Sequence, residues 1–192
     1  MASLILFTAC SAERHPEIVV VVNDASPISV AIGERYAATR GIPAENVVAL
    51  TIPILDPSLA DDSHETMLRE DFDEKVRKPL ETILIEQDLA DTIEIIVTTK
   101  GVPLRVEGTS GPMKTLLRDS IRSSLDAELS LLFSDLIGSA GVSKSVNPFF
   151  DSSQSFREFR RTHPESPIRY MVARLTGYPD EVRIETREVA DR

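Results

Sequence analysis

Asn23 and Asp24 follow directly on a β-branched run at residues 18–22, and Ser26-Pro27 comes next. A second apolar run closes on Thr98-Thr99-Lys100. An amide, a carboxylate, hydroxyls and an ammonium are the groups that hold an anion or move a proton. If the two runs are neighbouring parallel strands, Asn23, Asp24 and Ser26 stand beside Thr98, Thr99 and Lys100. A helix starting at Pro27 adds free N–H groups and the positive end of its dipole. An anion would then sit between the helix start and Lys100, with Ser26, Thr99 and Lys100 as ligand-binding residues. Catalytic candidates at the same crevice are Asn23, Asp24, Lys100, Asp126 and Glu128. The competing reading is local: Asn23 and Asp24 shape the turn, Ser26 caps the helix and Lys100 pairs with Asp24. The glycines match neither a Walker A loop nor GxGxxG.

Asp126 and Glu128 lie in the segment SSLDAEL, residues 123–129. Two apart on a helix, they point in different directions and cannot act as a carboxylate pair. Ser123 with Asp126 fits a capping box at a helix restart; alternatively, one of the two acids faces the crevice. His15, His64 and His163 do not end predicted strands, and Cys10 is near the terminus. A Ser–His–Asp or Cys–His machine and a zinc site therefore lack placed parts. The acidic stretch at residues 56–74 lacks the Asp-x-Asp-x-Asp-Gly calcium pattern and reads as a solvated loop and helix face. Arg157, Arg160 and Arg161 likewise read as a solvated basic helix face. The sequence calls for no metal and no cofactor.

The elements that would position these groups are well punctuated. Ser26 as N-cap, Pro27 at the first helical position, Gly41 as left-handed C-cap and Pro43 beyond it predict a helix over 27–40. Residues 47–50 read as a second strand. A helix over about 66–85 carries Phe72, Val76, Leu80, Ile83 and Leu84 on one face, and Pro79 inside it predicts a kink or two abutting helices. Residues 92–99 form the third strand and 101–112 an irregular loop or small hairpin. A long apolar helix follows over 116–137, then a loop over 147–155 with Phe149 and Phe150. A short basic helix over 155–162, a fourth strand over 169–175 and a helix over 180–190 complete the chain. Right-handed crossovers order the strands 2-1-3, with the fourth beyond the third. The expected fold is a three-layer α/β open sheet, mostly parallel, of flavodoxin- or caspase-like topology.

The chain has 192 residues, 42% hydrophobic and 27% charged, as expected of one globular domain over 16–192. A net charge of −10 and a pI near 4.8 argue against nucleic-acid binding, which needs clustered Lys and Arg. No apolar run reaches the roughly 18–20 residues of a membrane helix. Residues 4–9, ending at Cys10-Ser11, resemble a lipoprotein processing site. Phe7 and the lack of a positive segment depart from that pattern. Residues 1–15 are thus either a signal or lipoprotein remnant, with a lipid anchor at Cys10 and an extracytoplasmic location, or a disordered tail, which leaves a cytoplasmic location open.

Six blocks occur in order: VVVNDASPISVAIGERYAATRGIPAENVVAL, KPL, VTTKGVPLR, SSLDAELSLL, NPFF and VARLTG. Over about residues 18–177 they resemble a bacterial family of no established activity, found in genomes that carry the exosortase envelope-sorting system. The resemblance implies an envelope setting and no particular reaction. Its pattern falls on Asn23, Arg40-Gly41-Ile42-Pro43, Lys100-Gly101-Val102-Pro103, Asp126, Glu128 and Asn147-Pro148. Where the family has Arg-Leu-Asp-Gly, this chain has Arg174-Leu175-Thr176-Gly177, which removes one acid from a strand end. Family members run on past this point, so a C-terminally truncated member is expected. Three functions follow as expectations. The first is a hydrolase-like envelope protein with its site at the ends of the first and third strands, by analogy with gingipain- and caspase-type cores. The second is a non-catalytic accessory protein of envelope sorting that binds a protein or glycan. The third is a cytosolic anion-binding module.

Overall fold

The computed structural model describes residues 14–54, 65–108, 122–138 and 147–176. The strands are β1 (Ile18–Asn23), β2 (Val47–Leu50), β3 (Thr66–Leu68), β4 (Ile95–Thr99), β5 (Arg105–Glu107), β6 (Arg122–Ser124) and β7 (Met171–Leu175). The helices are α1 (Pro27–Arg40), α2 (Arg69–Phe72), α3 (Lys78–Glu86), α4 (Leu125–Ser130) and α5 (Phe156–Thr162). A parallel sheet has the order β2-β1-β4-β7 and is flanked by helices in a three-layer α/β arrangement. That is the strand order expected from the sequence, with β4 and β7 as its third and fourth strands. A smaller sheet, β3-β5-β6, pairs β3 parallel and β6 antiparallel to β5.

The unbroken β-branched run of β1 follows from burial on both faces. Val19 and Val21 pack with Phe72, Leu80, Leu84, Leu125 and Leu129 on one side. Ile18, Val20 and Val22 pack with Ala37, Ile42 and Val97 on the other, under α1. Helix α1 has the expected ends: Ser26 Oγ accepts from the Ser29 N–H, and Gly41 takes φ 63°. Gly33 lets α1 lie close on the sheet, since a Cβ there would stand 2.2 Å from Val22 Cγ1. Gly33→Ala is therefore expected to lose about 1–3 kcal/mol, against a propensity gain of at most about 1 kcal/mol. A lower urea midpoint at unchanged slope would show it.

Pro79 is accommodated by a π-helical turn. Residues Asp73–Arg77 form that turn immediately before α3, which puts Pro79 in the first turn of α3, where its missing N–H does no harm. The expected helix start at residue 66 is corrected to Arg69, because Thr66–Leu68 pair with β5. The expected helix over 116–137 is also corrected in its described part. Residues 122–124 are β6, α4 covers only six residues, and turns follow to Gly138 at φ 71°. Ser123 and Ser124 favour the β pairing over a helix interior, where their hydroxyls compete with the backbone. Leu125 N–H bonds Leu104 O and Leu104 N–H bonds Glu65 O, so the small sheet grows from the chain leaving β4. The expected helix over 180–190 and Cys10 lie outside the described residues. Among the described residues, no helix is long and apolar enough to cross a membrane.

Candidate functional site

The strand order reverses between β1 and β4, so the crevice at their carboxyl ends is the default ligand position. Here it is filled by the protein itself. Asn23 is fully buried. Its Oδ1 accepts from the Ala25 and Ile52 N–H groups, both at 3.1 Å, and its Nδ2 donates to Gly101 O at 2.9 Å. Asn23 N–H donates to Ser29 Oγ at 2.8 Å. Ser29 Oγ is 2.6 Å from Thr99 Oγ1, and Thr99 Oγ1 donates to Val21 O at 3.2 Å. Because the Thr99 proton goes to a carbonyl, Ser29 is the donor to Thr99. This hydroxyl chain ties β1, α1 and β4 together. Gly101, at φ 102°, lies so close to Ser26 that a Cβ would meet its Oγ at 2.7 Å. Ser26 and Thr99, expected at a ligand surface, are buried, and their hydroxyls bond within the chain.

The other candidates are spread over the sheet end. Asp24 is exposed and accepts from Thr51 Oγ1 at 2.7 Å, on the β2 side of β1 and away from β4. Lys100 is half-buried just past β4. Asp126 and Glu128 diverge, as their spacing requires. Glu128 is fully buried and forms an ion pair with Arg69 at 2.5 Å. Its Oε1 also accepts from Ser123 Oγ, and its Oε2 from the Gly138 N–H at 2.9 Å. Ser123 bonded to a carboxylate has the outline of a nucleophile and its base. Glu128, however, is fully buried and its oxygens are taken up by Arg69, Ser123 and the Gly138 N–H, so the pair is closed to a substrate. The capping box expected at Ser123 and Asp126 is absent: Ser124 is the N-cap, without a side-chain hydrogen bond, and Ser123 serves Glu128 instead.

Asp126 lies one strand over, at the carboxyl ends of β4 and β7. Arg174 grips it in a bidentate pair, Nε to Oδ2 at 3.1 Å and Nη2 to Oδ1 at 2.5 Å. The same guanidinium donates to Val102 O at 2.8 Å and Pro103 O at 3.0 Å. Thr98 Oγ1 lies 3.4 Å from Asp126 Oδ1. The turn at residues 100–103 is thus held by Asn23 through Gly101 O and by Arg174 through the next two carbonyls.

Beside this turn a cleft of 510 Å³ opens where the two sheets meet, lined by Leu104, Arg105, Arg122, Ser123, Ser124, Asp126 and Arg174. Its volume suits a small ligand. Three guanidiniums face it with one carboxylate from the lining. Arg105 and Arg122 lie 3.7 and 3.5 Å from Glu65 and Glu107, all four side chains being partly exposed. The Arg122–Glu107 contact, long and wet, yields easily to a better-placed anion. Arg174, with four hydrogen bonds, is a fixed wall.

Arg105, Arg122, Ser124 and Arg174 do not stand among the residues that sequence reasoning selected. The available signal was an arginine near the end of a strand, Arg174 in the segment VARLTG. Comparison with protein-family models, with curated proteins and with solved structures returns no match to this chain.

Proposed function

We propose that the protein is an envelope-associated α/β protein that binds an anionic ligand in the cleft between its two sheets, an acidic glycan being the class favoured. One observation carries this reading: Arg105, Arg122 and Arg174 converge with Ser124 and Asp126 on a 510 Å³ cleft at strand ends, in a chain of net charge −10. Guanidiniums recognise carboxylates and phosphates by paired N–H donors, and Ser124 and Asp126 supply the donor and acceptor that sugar hydroxyls need. The envelope setting and a lipid anchor at Cys10 come from the exosortase-genome resemblance and the N-terminal pattern, and belong to the same proposal. Binding is favoured over hydrolysis because Asp126 is engaged by Arg174 and the buried Glu128 by Arg69, so both carboxylates already serve ion pairs within the chain.

Calorimetric titration with a short oligogalacturonate and with inorganic phosphate tests the proposal. The wild-type protein is expected to bind at least one of them saturably, and Arg105→Ala/Arg122→Ala to weaken that binding about tenfold or more, about 1.4 kcal/mol. Absence of saturable binding, or equal affinity in the double variant, refutes the assignment of this cleft.

A further inference from the structure

A second basic cleft, of 440 Å³, lies at the opposite end of the main sheet. Asp91 and Glu94 precede β4, Arg169 precedes β7, and Arg157, Arg160 and Arg161 come from α5. These parallel strands put their amino ends on one side, so this cleft and the proposed ligand cleft are separated by the length of the strands. The basic residues of α5 are not all solvated. Arg160 turns inward, its Nη1 donating to Ile93 O at 2.5 Å and its guanidinium lying 5.5 Å from the centre of the Tyr170 ring. Tyr170 is fully buried and donates to Ala90 O at 2.8 Å. Burial pushes its hydroxyl up to about 12 despite the pull of Arg160 and Arg169, so it stays a neutral platform.

The remaining arginines are held by ion pairs at the surface, that of Arg161 with Glu158 being two-pointed. Arg157 contacts Glu94 while its side chain is 71% exposed, and Arg161 contacts Glu158 of its own helix while 72% exposed. Arg169 reaches Asp91 at 3.3 Å, but Asp91 is 90% exposed. Arg169 Nε is buried and has no hydrogen-bond partner among the described residues. The cleft is therefore lined by one rigid guanidinium and by exposed ones whose surface ion pairs are of low net strength.

We infer that this cleft docks an acidic, extended peptide segment of a partner protein. Geometry favours a peptide over a compact anion. Arg160, Arg161 and His163 stand at the C-terminal end of α5, where the negative end of the helix dipole disfavours a concentrated double negative charge. Arg157 and Arg161 are four residues apart, about 6 Å along the helix. Alternate side chains of an extended peptide recur at about 6.6 Å, so successive acids can meet successive arginines. The net charge of −10 disfavours non-specific capture of an acidic peptide, so saturable binding of one would report a local feature.

The probe is a fluorescein-labelled peptide of alternating glutamate and serine, with a glutamine-for-glutamate peptide as control, read by anisotropy on the full chain. The acidic peptide is expected to bind at low salt and weaken as salt rises, and the control not to bind. Arg157→Glu/Arg161→Glu, which alters two exposed side chains, is expected to lower affinity more than about tenfold while keeping a cooperative melting transition. Arg105→Ala/Arg122→Ala is expected to leave peptide binding intact, which separates this site from the proposed glycan cleft. Equal affinity in the Arg157→Glu/Arg161→Glu variant overturns the inference. So does binding of phosphate, or of phosphatidylglycerol vesicles, that depends on the same arginines while the peptide fails to bind.

Discussion

Glu128→Ala is expected to destabilise the protein by about 3–5 kcal/mol, read as a lower urea midpoint. The substitution leaves Arg69 as a charge without a partner carboxylate in a site where it is only 5% exposed. It also strips Ser123 Oγ and the Gly138 N–H of their acceptor. Gly108 O, 3.4 Å from Nε and Nη2 of Arg69, is too distant and too weak an acceptor to compensate. Against a typical domain stability of about 5–15 kcal/mol, such a loss leaves little reserve. The cause can be isolated with a cycle. Glu128→Gln keeps an oxygen for Gly138 N–H and Ser123 but removes the charge, and Arg69→Met removes the charge it faced. The double variant Arg69→Met/Glu128→Gln is expected to be more stable than Glu128→Gln alone, because the unpaired guanidinium is gone. Simple additivity of the two single effects would mean that the ion pair is not what holds α2, β6 and α4 together.

That ion pair shows where sequence reading stops. Helix α1 was legible from end to end because its signals are local: a serine cap, a proline at the first position, a glycine past the last turn. The order of the parallel sheet was legible too, since alternating strands and helices with right-handed crossovers leave few choices. The small sheet was not. Three strands of three residues each carry too few side chains for a period of two to register, and Thr66–Leu68 simply extended a helical pattern beginning at Arg69. Phe149 and Phe150 look alike in sequence, yet Phe149 packs edge-on against Phe156 and Phe159 while Phe150 is exposed. Neighbours on other elements decide that difference.

The candidate site divides the same way. The sequence pointed to the strand ends, where Asn23, Asp24, Lys100 and Asp126 lie, whereas Glu128 is buried against Arg69 and β6. What it concealed is that the crevice between β1 and β4 is closed by Asn23, Ser29 and Thr99, so the opening shifts one strand toward β7. The role of Arg174 depends on Val102, Pro103 and Asp126, which lie about 50–70 residues away along the chain. No local pattern announces such a meeting. Three separate segments, at β4 and the turn after it, at α4 and at β7, nevertheless come together at this one guanidinium.

Asn23 supplies the sharpest test of this architecture, because one atom can be changed. In Asn23→Asp, one carboxylate oxygen can still accept from the Ala25 and Ile52 N–H groups. The other replaces Nδ2, which now stands 2.9 Å from Gly101 O. Ionised, it sets a negative charge against a carbonyl in a fully buried position; protonated, it restores the donor. The new carboxyl should therefore have a folded-state pKa raised above its unfolded value of about 3.9. The sign follows from linkage. The folded form binds the proton more tightly, so the variant is most stable below about pH 4 and loses stability as pH rises toward the folded pKa. Asn23→Asp is thus expected to approach the wild type near pH 4 and to fall about 2–4 kcal/mol below it at pH 7. Asn23→Ala strands Gly101 O and two N–H groups at every pH, so it should show a similar deficit at pH 7 that does not recover on acidification. Urea midpoints for the three proteins across pH 4–8 distinguish these outcomes. A constant difference between Asn23→Asp and the wild type across that range would mean that the donor to Gly101 is not what fixes the turn. The turn also carries Val102 and Pro103, the carbonyls that seat Arg174. Loosening it from the Asn23 side should therefore disorder the wall of the cleft that Arg174 forms. The fully buried residue that the sequence placed at the centre of a ligand site then acts on that site from behind, by holding the backbone to which the cleft's fixed arginine is anchored.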